Sequence, residues 1–112
     1  MNNISFDDFM KVEICVGTIL TAEINNNLNN PAIVLTIDFG KEIGIKKSSA
    51  QLIANYTCDS LIKRQILAVV NFPPRQVGKI ISEVLVLGLS DNNNQPVLIS
   101  PDSNINNGKK LY

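Results

Sequence analysis

Alternating apolar and polar residues in the first quarter of the chain indicate a long β-strand. Between positions 12 and 24 the even positions carry mostly apolar residues, whereas the odd positions carry mostly polar or small ones. Side chains of a strand point alternately to its two faces, so this period of two predicts a strand with one face against a core. Ser5 is placed to cap a short helical turn over residues 7–10 just before it, and we expect that turn to close one end of the core.

The rest of the chain predicts further strands, at residues 32–39, 43–51, 65–72, 82–89 and 97–99. Asparagines and a proline predict a loop over 25–31, and a helical turn is expected at 52–56. The strands at 65–72 and 82–89 are apolar on both faces. We expect the core to cover one of these faces and a helix or a partner chain to cover the other.

This pattern predicts a mainly β domain, a five- to six-stranded OB-fold barrel with short helices. An SH3-like barrel and a compact sandwich fit the same pattern and stay open as alternatives. With 112 residues the chain is long enough for one core, so we predict a single domain over 1–112. Its tail carries Ile105, Leu111 and Tyr112, and we expect these to dock on the core or on a second subunit.

Charge is distributed unevenly although the formal total is zero. Residues 1–40 hold one lysine against five acids, whereas residues 41–79 hold seven lysines and arginines against two acids. A basic middle segment of this kind favours a polyanionic partner, although solvated lysines are the commoner meaning of such a pattern.

Several kinds of chemistry are disfavoured by the composition. The chain has no histidine, and Cys15 and Cys58 lie far apart without a C-x-x-C motif. We therefore predict a binding protein with no catalytic residues, no cofactor and no metal; an enzyme stays a competing hypothesis that would need two carboxylates converging in a pocket. No apolar run reaches about 20 residues and the first residues do not resemble a signal peptide, so we expect no membrane insertion and a cytoplasmic location.

Two polar segments are the candidates for binding. In the first, Lys46 and Lys47 are adjacent, so in an extended segment at most one of them faces a given ligand. Ser48, Ser49 and Gln51 follow and offer hydrogen-bonding groups for phosphate, sugar or peptide backbone. Alternatively, the serines satisfy local backbone groups while the lysines stay solvated.

The second segment is the loop Asn-Phe-Pro-Pro-Arg-Gln-Val-Gly at 71–78. Its two prolines stiffen the chain, so Arg75 can bind a phosphate or a carboxylate at low entropic cost. Phe72 and Val77 offer an apolar strip for an unfolded peptide. The alternative is that the prolines only end a strand and Arg75 makes a weak surface ion pair with an acid.

The chain resembles the CsaA family of secretion-related chaperones in segments 16–19, 37–40, 43–51, 69–78 and 82–88. This resemblance implies a homodimeric barrel of the tRNA-binding-domain superfamily, similar to the C-terminal domain of many bacterial methionyl-tRNA synthetases. It also implies chaperoning of export-bound polypeptides and binding of tRNA, and we expect the N- and C-terminal segments at the dimer interface.

Our preferred prediction is a cytoplasmic, homodimeric chaperone that binds unfolded or export-bound polypeptides, with tRNA as a second candidate partner. The alternative is a structure-specific tRNA-binding protein that acts in trans. The predicted tRNA- or peptide-binding residues are Lys46, Lys47, Ser48, Ser49, Gln51, Asn71, Phe72, Arg75, Gln76, Val77, Lys79 and Ser82.

Overall fold

A computed structural model of the chain describes residues 1–26 and 30–112. Its helices are short: α1 (Phe6–Met10), α2 (Gly40–Ile43) and α3 (Cys58–Leu61). Its strands are β1 (Ile14–Asn25), β2 (Ala32–Asp38), β3 (Ile45–Ala50), β4 (Gln65–Val69), β5 (Arg75–Val77), β6 (Ile80–Ser82), β7 (Leu85–Val86), β8 (Gly88–Ser90) and β9 (Pro96–Leu98). Part of the loop predicted at 25–31, residues 27–29, lies outside the described residues. None of the described helices has the length and apolar character needed to span a bilayer.

Five strands form one antiparallel sheet in the order β3-β2-β1-β4-β7. The sheet curls until the segment before β7 contacts β3, where the Glu83 N–H donates to the Lys47 carbonyl at 2.7 Å. Two hairpins, β5–β6 and β8–β9, extend from this half-barrel. The prediction of a mainly β, OB-type fold is therefore confirmed.

The inward face of β2 forms the centre of the core. Ile33, Leu35, Ile37 and Phe39 are each at most 1% exposed, as their alternation predicts. Burying an aliphatic or aromatic side chain of this size stabilises the fold by about 1.5–3 kcal/mol. Leu52, Leu61, Ile66, Ala68 and Val84 pack against them from the rest of the half-barrel.

A β-bulge divides β1 into two halves with opposite inward faces. Cys15 and Ile19 are buried in the core, but the pairing register with β2 shifts between Ile19 and Thr21. Beyond the shift Ala22 packs against the core, while Thr21 and Glu23 are exposed. The prediction of one continuous inward face is thus wrong, because the extra residue of a bulge exchanges the two faces of a strand.

The C-terminal segment adds backbone pairing to the first half of β1. β2 pairs with β1 only from Thr18 onwards. The C-terminal segment pairs with the same edge of β1 before Thr18. Here the Gly108 N–H donates to the Val16 carbonyl at 2.8 Å and the Val16 N–H donates to the Lys109 carbonyl at 3.0 Å. The backbone of the tail therefore pairs with its own barrel, whereas the three side chains expected to dock, Ile105, Leu111 and Tyr112, are 42%, 40% and 99% exposed.

Helix α1 lies at the surface. The Ser5 hydroxyl accepts a hydrogen bond from the Asp8 N–H at 3.0 Å, so the predicted cap is confirmed. The helix buries none of its residues, and Phe6 is 70% exposed, so the prediction that it closes the core is wrong for the single chain. Leu52 and Leu61, from the connection between β3 and β4, fill the core instead.

Two glycines with left-handed backbone allow a matched test of how tightly the C-terminal segment packs. Gly108 (φ 92°) lies so close to β2 that an added Cβ would be 2.5 Å from the Phe39 carbonyl oxygen, whereas Gly44 (φ 87°) has no atom within 4 Å of such a Cβ. We expect Gly44→Ala to cost about 1 kcal/mol of unfolding free energy and Gly108→Ala about 3 kcal/mol, since only the second adds a steric clash to backbone strain. Urea denaturation of both variants measures the difference, and equal losses would contradict the close packing.

Candidate functional site

The hairpin β5–β6 separates the predicted binding residues into two grooves. The pairing of Arg75 with Ser82 and of Val77 with Ile80 defines this hairpin. One cavity of about 500 Å³, the lysine groove, lies between the hairpin and the outer face of β1, β2 and β3. The other, the arginine groove of about 230 Å³, lies between the loop before β5 and the segment that leads into β7. Predicted site residues occur in both grooves.

The floor of the lysine groove is a row of side chains across three strands. Thr21 on β1 pairs with Thr36 on β2, which pairs with Lys47 on β3. The two threonine hydroxyls are 2.6 Å apart and hydrogen-bonded to each other. Lys79 enters the groove from the turn between β5 and β6, where Gly78 adopts a left-handed conformation (φ 63°). The groove therefore has a polar floor and two cationic side chains.

The two adjacent lysines of β3 have different surroundings. Lys47 is exposed and lines the lysine groove. The Lys46 ammonium lies 3.9 Å from the Glu83 carboxylate, and both side chains are about one-third exposed. An ion pair of this exposure contributes little to stability, but it gives Lys46 a partner within the chain. Lys47 is therefore the better placed of the two for an external anion.

Several predicted site residues hold the fold together instead of facing a groove. Ser48 is 2% exposed and its hydroxyl donates to the Val84 carbonyl at 3.0 Å. The Ser49 N–H donates to the Ser82 hydroxyl at 3.1 Å, and the Gln51 amide donates to the Asn30 carbonyl at 3.2 Å. For Ser48 the alternative stated above, satisfaction of a local backbone group, describes the structure.

Two polar side chains of the 71–78 loop are likewise bonded within the chain. The Asn71 side chain accepts from the Glu13 N–H at 2.9 Å and donates to the Lys11 carbonyl at 2.7 Å, so it joins the end of β4 to the start of β1. The Gln76 amide donates to the Gly78 carbonyl at 3.0 Å across the hairpin turn. Both residues remain exposed, and the side chain of Asn71 has its oxygen and its nitrogen bonded within the chain.

The arginine groove combines one cation, Arg75, and one acid, Glu83, with an exposed apolar surface. Phe72 and Leu85 line it and are 49% and 50% exposed. Arg75 lines it too, is exposed, and lies within 4.0 Å of no acid in residues 1–26 and 30–112. The alternative of a surface ion pair for Arg75 is therefore absent from the described part of the chain. A groove of this kind can bind an apolar side chain and a carboxylate or carbonyl of the same ligand.

Two groups have shifted pKa values, and both lie outside the grooves. Burial raises the pKa of the Cys15 thiol, with a further rise from Glu13 and an opposing effect of Lys110, so this thiol stays protonated. Hydrogen bonds from the Gln95 backbone, the Asn55 side chain and the Asn93 backbone lower the pKa of Asp91. Among the described residues, no group of three acids or cysteines could hold a metal ion.

Several groove residues were not among the predicted ones, including Thr21, Glu23 and Thr36 in the lysine groove and Leu85 in the arginine groove. The alternation of β1 already places Thr21 and Glu23 on its polar face, but the cavity that they line depends on β2, β3 and the hairpin β5–β6. An acid and a threonine are the local signal for an exposed face at these positions. Leu85 carries no such signal, since its exposure depends on the neighbouring loop.

Comparisons with known proteins agree with this architecture. Residues 14–110 match the family described as "Putative tRNA binding domain". The crystal structure of the chaperone CsaA from Bacillus anthracis is 43% identical, with a TM-score of 0.93 and coverage of 99% of this chain and 100% of that one. The CsaA chaperone protein from Picrophilus torridus is 44% identical, with a TM-score of 0.89 and coverage of 98% and 100%.

A methionine–tRNA ligase from Parabacteroides distasonis is 27% identical over 111 residues, which cover 97% of this chain and 16% of that enzyme. The ligase from Acidithiobacillus ferrooxidans is 32% identical over 108 residues, or 96% of this chain and 16% of that enzyme. The chain thus spans about one-sixth of the length of the curated ligases that it matches.

Proposed function

We propose that this chain, which belongs to the tRNA-binding domain family and within it to the CsaA family, is a chaperone that binds unfolded, export-bound polypeptides. The arginine groove is the observation that carries this proposal. Phe72 and Leu85 are half exposed there beside Arg75, which lies within 4.0 Å of no described acid. Apolar surface next to an unneutralised guanidinium suits a client that offers both apolar side chains and backbone carbonyls.

The energetics fit a transient holding function. Completing the burial of two half-exposed apolar side chains contributes about 1–3 kcal/mol, and ordering a flexible client opposes it. Pro73 and Pro74 reduce the entropy that the loop loses on binding. The groove therefore favours weak, sequence-tolerant binding of extended segments, which is what a protein that must release its clients needs.

The lysine groove supports tRNA as a second partner, bound in trans. Lys47 and Lys79 line it, and neither lies within 4.0 Å of an acid in the described part of the chain. Cationic side chains without acidic partners bind phosphates and release counterions. Since aliphatic and polar residues but no aromatic ring line this groove, contacts to the RNA backbone suit it better than base stacking.

The working unit proposed here is a homodimer joined through its terminal segments. The exposed residues Ile4 and Phe6 precede β1, and Ile105, Leu111 and Tyr112 surround a cavity of about 360 Å³ near Leu67. The Lys110 ammonium donates to the Met10 carbonyl at 3.1 Å, so both termini lie on one side of the barrel. A second copy would cover this apolar surface. The proposed compartment is the cytoplasm, where the free thiols of Cys15 and Cys58 stay reduced.

Making the arginine groove polar tests the chaperone proposal. The assay measures the protein concentration that halves light scattering by an aggregating, chemically unfolded client. We expect Phe72→Ser and Leu85→Ser each to raise this concentration about fivefold, because each removes apolar contact area. Leu89→Ser is the matched control, since Leu89 is 67% exposed and lies outside this groove. Full protection by both groove variants would contradict the proposal.

Salt-dependent titration tests the tRNA proposal. We expect Lys47→Ala and Lys79→Ala each to weaken binding of bulk tRNA about tenfold at 0.1 M salt. Each variant should also reduce the slope of log K against log salt by about one, because it loses one phosphate contact. Lys41→Ala removes the same charge from α2, outside the groove, and should change neither value. If wild-type protein shows no salt-sensitive binding, the proposal fails.

Light scattering coupled to size-exclusion chromatography tests the dimer. Wild-type protein should have the mass of two chains, and Phe6→Ser combined with Leu111→Ser should have the mass of one, because both changes remove apolar surface at the proposed contact. Val97→Ser changes an exposed valine of β9 and should stay dimeric. A single-chain mass for the wild type at tens of micromolar would refute the proposal.

A further inference from the structure

The β-bulge of β1 directs two polar side chains into the lysine groove. Ahead of the bulge, odd-numbered residues such as Cys15 and Ile19 are buried in the core. The register shift between Ile19 and Thr21 turns the following odd-numbered residues, Thr21 and Glu23, outwards, where both line the groove. Bulges commonly re-aim side chains beside functional sites. A local distortion that places an acid in the same groove as two lysines calls for a functional explanation.

Glu23 is unusual in a surface that binds polyanions. Its carboxylate can only accept hydrogen bonds, and it repels a phosphate. No lysine or arginine in the described residues lies within 4.0 Å of the Glu23 carboxylate, so Glu23 forms no salt bridge with Lys47 or Lys79. A nucleic acid can occupy this groove at low cost only if it offers a hydrogen-bond donor to Glu23 while its phosphates contact the lysines.

We propose that Glu23, with the hydroxyls of Thr21 and Thr36, binds a ribose 2′-hydroxyl and so selects RNA over strands that lack this donor. This inference rests on the proposed tRNA binding. The 2′-hydroxyl is the donor that every nucleotide of RNA presents next to its phosphates, and it distinguishes RNA from DNA. The paired threonine hydroxyls, 2.6 Å apart, add one free donor and several acceptors to the same floor. The lysines thus supply affinity, and Glu23 supplies selectivity.

The test compares two versions of one tRNA transcript, one with ordinary nucleotides and one with 2′-fluoro nucleotides throughout, which lack the hydroxyl donor. Wild-type protein should bind the ordinary transcript about tenfold more tightly, since a hydrogen bond to a carboxylate is lost in the other. Glu23→Gln should reduce the preference to about threefold, because a neutral amide oxygen accepts the hydrogen bond more weakly than a carboxylate, and should bind the fluorinated transcript more tightly than wild type because the repulsion of phosphate is gone. Glu42→Gln removes the same charge from α2, outside the groove, and should keep the wild-type preference.

Each of the other outcomes would contradict either the role of Glu23 or the proposed tRNA binding. Equal binding of both transcripts by wild-type protein overturns the role of Glu23 and leaves the tRNA proposal standing. Retention of the full tenfold preference by Glu23→Gln does the same and points to a 2′-hydroxyl bound by another residue. Binding of neither transcript overturns the tRNA proposal, and with it this inference, while the client-protection assay remains an independent measure of active protein.

Discussion

The closure of the sheet between β3 and the segment before β7 is the contact on which both grooves depend. The Lys47 backbone accepts from the Glu83 N–H and donates to the Glu83 carboxylate, at 2.7 and 3.0 Å. Next to it, the buried Ser48 hydroxyl donates to the Val84 carbonyl. These bonds hold the hairpin β5–β6 over the outer face of the sheet. Without them the hairpin would have no fixed position, and neither cavity would keep its walls.

The same contact determines which charges remain available. Glu83 accepts from the Lys47 backbone and lies 3.9 Å from the Lys46 ammonium, so this acid is engaged within the fold. Lys47, Lys79 and Arg75 are left without an acid within 4.0 Å among the described residues. A chain with no formal net charge thereby presents cationic side chains that form no close ion pair among the described residues, although Glu23 and Glu83 line the same grooves.

Local sequence is sufficient to predict those elements in which one periodicity determines which side chains are buried. The alternation of β2 identified its buried residues, and Ser5 was recognised as a cap because capping depends on residues three positions apart. The bulge of β1 could not be predicted in this way, because it arises from the pairing of β1 with β2. The bonds of Asn71 could not be predicted either, because its partners at Glu13 and Lys11 are about 60 positions away and approach it only in the folded chain.

The hairpin between the grooves shows how one small barrel can offer two kinds of surface. Arg75 lines the cavity on one side and Lys79 lines the cavity on the other, and the two residues are four positions apart. No described residue lines both cavities, so a ligand in one groove need not displace a ligand in the other. Any influence of one ligand on the other would have to pass through the backbone of a hairpin preceded by two prolines, which restricts its movement. The geometry therefore favours largely independent binding of polypeptide and RNA over competition between them.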